Sequence, residues 1–126
     1  MIETVSLFLF TALTSIVILF QLGLAVGLPW GVASMGGKYP GIYPPKMRFV
    51  ALVNALILSG MMVIAWARAG RAFPEIYSLS LVGIWVMVVF FGIATLMNTI
   101  TPSKIERIWA PVAFCQFVTC LLLALN

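Results

Sequence analysis

Apolar residues run almost without interruption through positions 5–28, 49–67, 76–97 and 108–125, and charged side chains are confined to three connections and the N-terminal residues. Each run approaches the roughly 20 residues that an α-helix needs to cross the hydrocarbon core of a bilayer. The pattern predicts an all-α integral membrane four-helix bundle in a single domain, 1–126, with spans at about 5–28, 48–68, 76–98 and 105–125. Short second and third connections arrange these spans as two tandem helical hairpins. A faint echo between Pro45-Lys46-Met47-Arg48 and Pro102-Ser103-Lys104-Ile105-Glu106-Arg107 fits hairpins related by an axis along the membrane normal, although basic residues recur at such positions for topological reasons alone.

Punctuation refines the boundaries. Ser103-Lys104-Ile105-Glu106 has the S-x-x-E form of a capping box, which predicts a fourth helix starting at Ser103, and Pro102 ends the third. Pro111 then falls inside the fourth helix and predicts a kink near the membrane surface. The first run is longer than a signal-peptide apolar region, follows Glu3 instead of a basic cluster, and ends at Leu28-Pro29-Trp30 without a small-residue cleavage site. It is expected to be retained. The first connection is long, and four prolines and four glycines between Pro29 and Pro45 rule out a regular helix there. It reads as a stiff interfacial loop with its aromatics among headgroups, or as a lid over the helix ends.

Lys38, Lys46 and Arg48 in the first connection join Lys104 and Arg107 in the third on one side of the membrane, against Arg68 and Arg71 on the other. Because Lys and Arg near span ends stay in the cytoplasm, this predicts a cytoplasmic first and third connection and both termini outside. Trp30, Tyr39, Tyr43, Trp66, Tyr77 and Trp109 lie at span ends as interface anchors. Trp85 lies deep in the third span, where its indole N–H is expected to meet a partner on a neighbouring helix.

Composition removes several function classes. With 63% hydrophobic and 8% charged residues, and a mean hydropathy of +1.18, the chain has no surface for a water-soluble domain. There is no His, and the only carboxylates, Glu3, Glu75 and Glu106, lie outside the apolar runs. Proton-coupled transport through an embedded acid, His ligation of haem and base-assisted hydrolysis therefore have no residues to use. Cys115 and Cys120 sit on different helix faces and read as apolar fillers, so no metal, cofactor or disulfide is expected. Gly36-Gly37-Lys38 lacks the rest of a phosphate-binding loop, and a net charge of +4 is explained by topology without nucleic acid.

The polar residues inside the spans carry what chemistry remains. At 1.5 Å per residue, Gln21, Asn54, Thr95 and Asn98 fall within about 10 Å of the cytoplasmic helix ends, and Gln116 lies nearer the midplane. This shared depth predicts a ligand-binding pocket open to the cytoplasm, ringed by Lys38, Arg48, Lys104 and Arg107 along with Lys46. The competing expectation is that these amides act as interhelical glue. On the first helix, Thr11, Thr14, Ser15 and Gln21 form one stripe and Gly23 and Gly27 a GxxxG pair on another face. Gly23, Gly27 and, on the third helix, Gly92 are the expected helix-packing positions, within the bundle or toward a partner.

Gly27-Leu28-Pro29-Trp30-Gly31, Gly36-Gly37, Asn98, Thr101-Pro102-Ser103 and Glu106-Arg107-Ile108-Trp109-Ala110-Pro111 together resemble a group of small four-span bacterial membrane proteins with no assigned activity. The resemblance implies a bacterial plasma membrane and adds no reaction. The expected role is thus non-catalytic: an accessory or assembly subunit of a homo- or hetero-oligomeric membrane complex, in contact with membrane lipids. A small channel, carrier or lipid-headgroup binder using the polar pocket is the alternative.

Overall fold

A computed structural model describes all 126 residues and contains four long helices: α1 (Ile2–Val26), α2 (Pro45–Arg68), α3 (Tyr77–Ile100) and α4 (Trp109–Leu125). Each helical segment is long and apolar enough to cross a membrane. Apolar residues on all faces suit helices that bury one side against neighbours and turn the other to lipid, and large exposed residues such as Leu19, Leu56, Val82 and Phe114 supply the outer side. Neighbours in sequence pack side by side, α3 most extensively on α4 and α1 on α2, and the circle is closed by α1 against α4 and α2 against α3. The first and third connections share one end of the bundle; the termini and the second connection share the other.

The helix ends follow from local chemistry. Gly27, at φ 98°, takes the left-handed conformation that ends α1, and the N–H groups of Gly27 and Leu28 return to Leu24 O at 3.2 Å and Gly23 O at 2.9 Å. Pro45 opens α2 at the first helical position, where its missing N–H has no partner to lose. Thr101 leaves the helix with ψ 142° because Pro102 follows it, and α3 stops there.

The fourth helix departs from expectation. Ser103 Oγ does accept from Glu106 N–H at 3.3 Å, but the Glu106 carboxylate does not fold back to Ser103. It binds Gly36 N–H and the Thr101 hydroxyl instead, so only half of a capping box forms. A 3-10 turn at Glu106–Ile108 precedes α4, and Pro111 lies in the first turn of the α-helix proper. A proline there forfeits no intrahelical bond, so the change in helical winding falls at Ile108–Trp109 ahead of Pro111 rather than as a kink beyond it.

The two ends of the bundle are packed differently. Toward the termini, Leu7, Phe10, Ile84, Met87, Phe91 and Leu123 form a dry core with Leu58, Ala65, Val88 and Cys120, and the Phe10 and Phe91 rings meet edge to face at 5.7 Å. Trp66 Nε1 donates to Thr11 Oγ1 at 3.0 Å, Arg68 reaches Ala124 O at 3.3 Å, and Arg71 reaches Thr4 Oγ1 at 2.5 Å. Trp85 does not join this interior. It is 45% exposed on the outer face of α3, where its ring adds to the surface turned toward lipid.

Nearer the other end only a small cluster, Leu24, Tyr43 and Ala51, is packed solid. Gly23 and Gly27 serve this end in a way the GxxxG reading did not foresee. A Cβ on Gly23 would overlap the Trp30 ring, and one on Gly27 would lie 3.4 Å from the Arg48 guanidinium. The glycine face therefore seats the first connection and an α2 side chain, and is already covered. Gly92 does sit at a helix contact, where an added Cβ would meet the Phe117 ring of α4 at 3.3 Å. Gly23→Ala is expected to expel Trp30 and cost about 1–3 kcal/mol, read as a lower unfolding temperature in detergent at unchanged particle mass. Gly60→Ala, with open space around the new Cβ, should hold or raise that temperature, because alanine favours the helix over glycine.

Candidate functional site: a capped cavity between α2 and α3

The residue 28–44 connection has no regular helix to satisfy its backbone, so its carbonyls and N–H groups must find partners elsewhere. Two 3-10 turns, Gly31–Ala33 and Met35–Gly37, bring it across the helix ends. There the third connection supplies the missing partners. Ser103 Oγ donates to Val32 O at 2.6 Å, Trp109 Nε1 donates to Ala33 O at 3.0 Å, and Gly36 N–H donates to Glu106 Oε1 at 3.1 Å. Stacking adds to this join, because Phe20 of α1 lies parallel to Trp30 at 6.0 Å and 4.7 Å from Trp109. Gly31 N–H donates to Gly41 O at 2.8 Å, closing the loop on itself. Tyr43 is buried, and its hydroxyl hydrogen-bonds Ser34, whose own hydroxyl donates to Gly31 O at 3.1 Å.

Under this cap lies a cavity of about 840 Å³, within the size range of sites that take small molecules. Ala33, Ser34, Met35 and Tyr39 roof it with Thr101 and Pro102; Leu58, Phe91 and Val17 reach its deeper part. α2 and α3 touch on the side of the short second connection, where Gly83 admits Ile64, and nearer the cap residues of both helices line the cavity. Ile57, Phe90 and Met97 both line the cavity and are 50%, 44% and 58% exposed, so the space opens sideways between α2 and α3 as well. Counting 1.5 Å per residue from Pro45 to Leu58, it extends roughly 20 Å below the cap.

Five of the ten polar and basic residues assigned to the pocket from the sequence line this one cavity: Gln21 of α1, Asn54 of α2, Asn98 of α3, Gln116 of α4 and Lys38 of the cap. Five do not. Thr95 returns its hydroxyl to Phe91 O at 2.7 Å within its own helix. Arg48 donates from Nε to Ala25 O at 2.9 Å and so clamps the C-terminal carbonyls of α1, where a cation also suits the helix dipole. Arg107 spends Nε and one terminal nitrogen on Thr101 O at 3.1 and 3.0 Å, and Lys104 is exposed away from the cavity. Lys46, at the start of α2, is likewise exposed.

The amides differ in what they have left to offer. Gln116 donates to the buried Thr14 Oγ1 at 3.0 Å, and Asn98 Nδ2 donates to Ala94 O at 2.8 Å, which leaves each carbonyl oxygen free toward the cavity. Gln21 and Asn54 have no protein partner. Every fully buried side-chain polar atom is hydrogen-bonded; Gln21 and Asn54, half-buried, belong to the cavity lining. Glu106 was legible in the sequence only as a cap residue. It too lines the cavity, and the residues that reveal its role, Gly36 and Thr101, are distant in sequence or beyond a proline.

No protein-family model, curated protein or solved structure matches this chain. The four apolar helices identify a multi-pass membrane protein.

The Tyr43 hydroxyl tests the cap. Burial raises its pKa above the ordinary 10.0, the bond to Ser34 partly offsets the rise, and the charge of Glu106 adds to it. Since the folded pKa exceeds the unfolded one, the capped state keeps its full stability below pH 10.0 and loses it as pH climbs through the folded value. With Tyr39 and Tyr77 replaced by Phe, the phenolate absorbance of the remaining tyrosine should rise at a pH above 10.0 and return to 10.0 on denaturation. A folded midpoint at 10.0 would mean the cap is open.

Proposed function

We propose that this protein binds one amphiphilic molecule in the capped cavity, with the polar end among the amides beneath the cap and the apolar end toward Phe90, Phe91 and Leu58. The observation that carries the reading is the pair of unpartnered amides, Gln21 and Asn54, facing one large space at membrane depth. An amide left without a partner in an apolar medium costs several kcal/mol, so water or a ligand must meet it. The lateral gap bordered by Ile57, Phe90 and Met97 gives a lipid-soluble molecule a route in from the bilayer. The dry core around Phe10, Ile84 and Met87 closes the far side, which fits a binding site and not a pore.

The role is non-catalytic in this reading, with the bacterial plasma membrane as its setting and lipid as the partner. The excess of Lys and Arg at the cap end argues for a cytoplasmic cap and external termini. Membership of a larger assembly, expected from the aromatic anchors, small-residue stripes and stiff loop, is not needed to account for the site; of those stripes, the Gly23/Gly27 face is occupied by Trp30 and Arg48.

Protein extracted in mild detergent should carry one amphiphile into native mass spectrometry, and Gln21→Leu or Asn54→Leu should lower its occupancy about tenfold at unchanged thermal stability. Wild-type protein arriving bare, or variants with undiminished occupancy, would remove the proposal. For orientation, cysteines at the exposed Pro40 and Glu75, in a background with Cys115 and Cys120 replaced by Ala, should differ in intact cells. A membrane-impermeant thiol reagent is expected to label position 75 and spare position 40; the opposite result reverses the topology.

A further inference from the structure

The cavity holds two charged side chains near its roof, one of each sign, and both are coordinated by neutral groups. Lys38 Nζ lies 5.6 Å from the centre of the Tyr39 ring. Glu106, half-buried, accepts through Oε1 from Gly36 N–H at 3.1 Å and from the Thr101 hydroxyl. Two other cations of this end are already occupied, Arg48 on Ala25 O and Arg107 on Thr101 O. Glu106 Oε2 therefore keeps its acceptor capacity while its charge sits beside an apolar cavity, where attraction for a cation is stronger than in water.

Asn98 contributes a second acceptor at the same end. Its amide nitrogen gives one N–H to Ala94 O, which fixes the side chain, and its carbonyl oxygen has no protein donor. A carboxylate oxygen and an amide oxygen match a primary ammonium, which brings three N–H donors. A quaternary ammonium brings none and would leave both acceptors unpaired. On the other side, Lys38 is suited to a phosphate. One cation and one anion together match a headgroup that is itself zwitterionic, whereas an anionic headgroup without an amine leaves Glu106 uncompensated.

Resting on the cavity reading above, we infer that the ligand is a phospholipid whose headgroup joins a primary ammonium to a phosphate, with Glu106 and Asn98 receiving the ammonium and Lys38 the phosphate. The chemistry is that of phosphoethanolamine. The sideways gap and the apolar depth of the cavity favour the lipid over the free headgroup compound.

The test uses the intact protein in phosphatidylcholine nanodiscs doped with equal small amounts of competing lipids of the same chains, with bound lipid read by native mass spectrometry. Wild type should enrich phosphatidylethanolamine about tenfold over phosphatidylcholine, with occupancy falling stepwise through the N-methyl and N,N-dimethyl forms and low for phosphatidylglycerol. Glu106→Gln retains an Oε1 acceptor for Gly36 and Thr101, so it should keep total bound lipid while the ethanolamine-to-choline ratio drops toward one. Lys38→Gln should weaken both lipids and leave their ratio in place. Lipid bound without headgroup preference, or a preference that survives Glu106→Gln, overturns the inference while sparing the cavity. The methylation series decides the matter on wild-type protein if Glu106→Gln fails to fold. Displacement of all bound lipid by soluble phosphoethanolamine overturns the lipid assignment, and failure of every lipid to bind is failure of the cavity reading itself.

Discussion

The hydrogen bonds that tie the first connection to the third hold the rest of the structure in place. A segment rich in proline and glycine cannot satisfy its own backbone by helix formation, and the membrane interface offers only partial help from water. Ser103, Glu106 and Trp109 answer three of its backbone groups, at Val32, Gly36 and Ala33. Once so held, the connection presses Trp30 onto Gly23 and Phe20, buries Tyr43 against Ala51, and spans the ends of the helices.

The bundle is packed differently along its length, with a solid core toward the termini and a cavity toward the cap. At the end nearer the termini the short second connection holds α2 and α3 together, and large side chains such as Phe10, Phe91 and Met87 interlock. Toward the cap the cavity takes the place of such packing, and Gln21, Asn54, Asn98 and Gln116 are on its lining. Hydrocarbon gives no driving force to collapse such a space, because lipid tails are as apolar as the side chains. What keeps it open is therefore the cap above and the solid packing below, and what fills it must satisfy Gln21 and Asn54.

Much of this was legible in the sequence because hydrocarbon thickness and helix rise are fixed lengths. Four apolar runs gave the helices, and hairpin connectivity brought Asn54 near the start of α2 and Asn98 near the end of α3 to the same end of the bundle as Gln21, with Gln116 deeper. Which face of each helix turns inward was not legible, since apolar residues surround every helix; Trp85 accordingly points outward against expectation. Gly23 and Gly27 matched a helix-contact pattern, but small residues serve equally to seat an aromatic ring, and Trp30 lay only a few positions away. The capping box failed in its second half because Glu106 found a better partner in Gly36, some 70 residues distant, a contact that no local motif encodes. Arg48 and Arg107 were drawn to the pocket by charge alone, yet carbonyls at Ala25 and Thr101 lay closer to hand.

Binding in the cavity requires that the side-chain amides of Gln21 and Asn54 face an occupied or hydrated space inside the bundle and not lipid tails or each other. Solid-state NMR of the protein in bilayers, with magnetisation passed from water or from labelled lipid headgroups to side-chain amide protons, addresses it most directly. Strong transfer to both amides, together with weak transfer from the terminal methyls of the lipid chains, is the predicted result. Transfer to these amides from chain methyls alone, or a direct amide-to-amide contact with α2 and α3 packed along their full length, would contradict it.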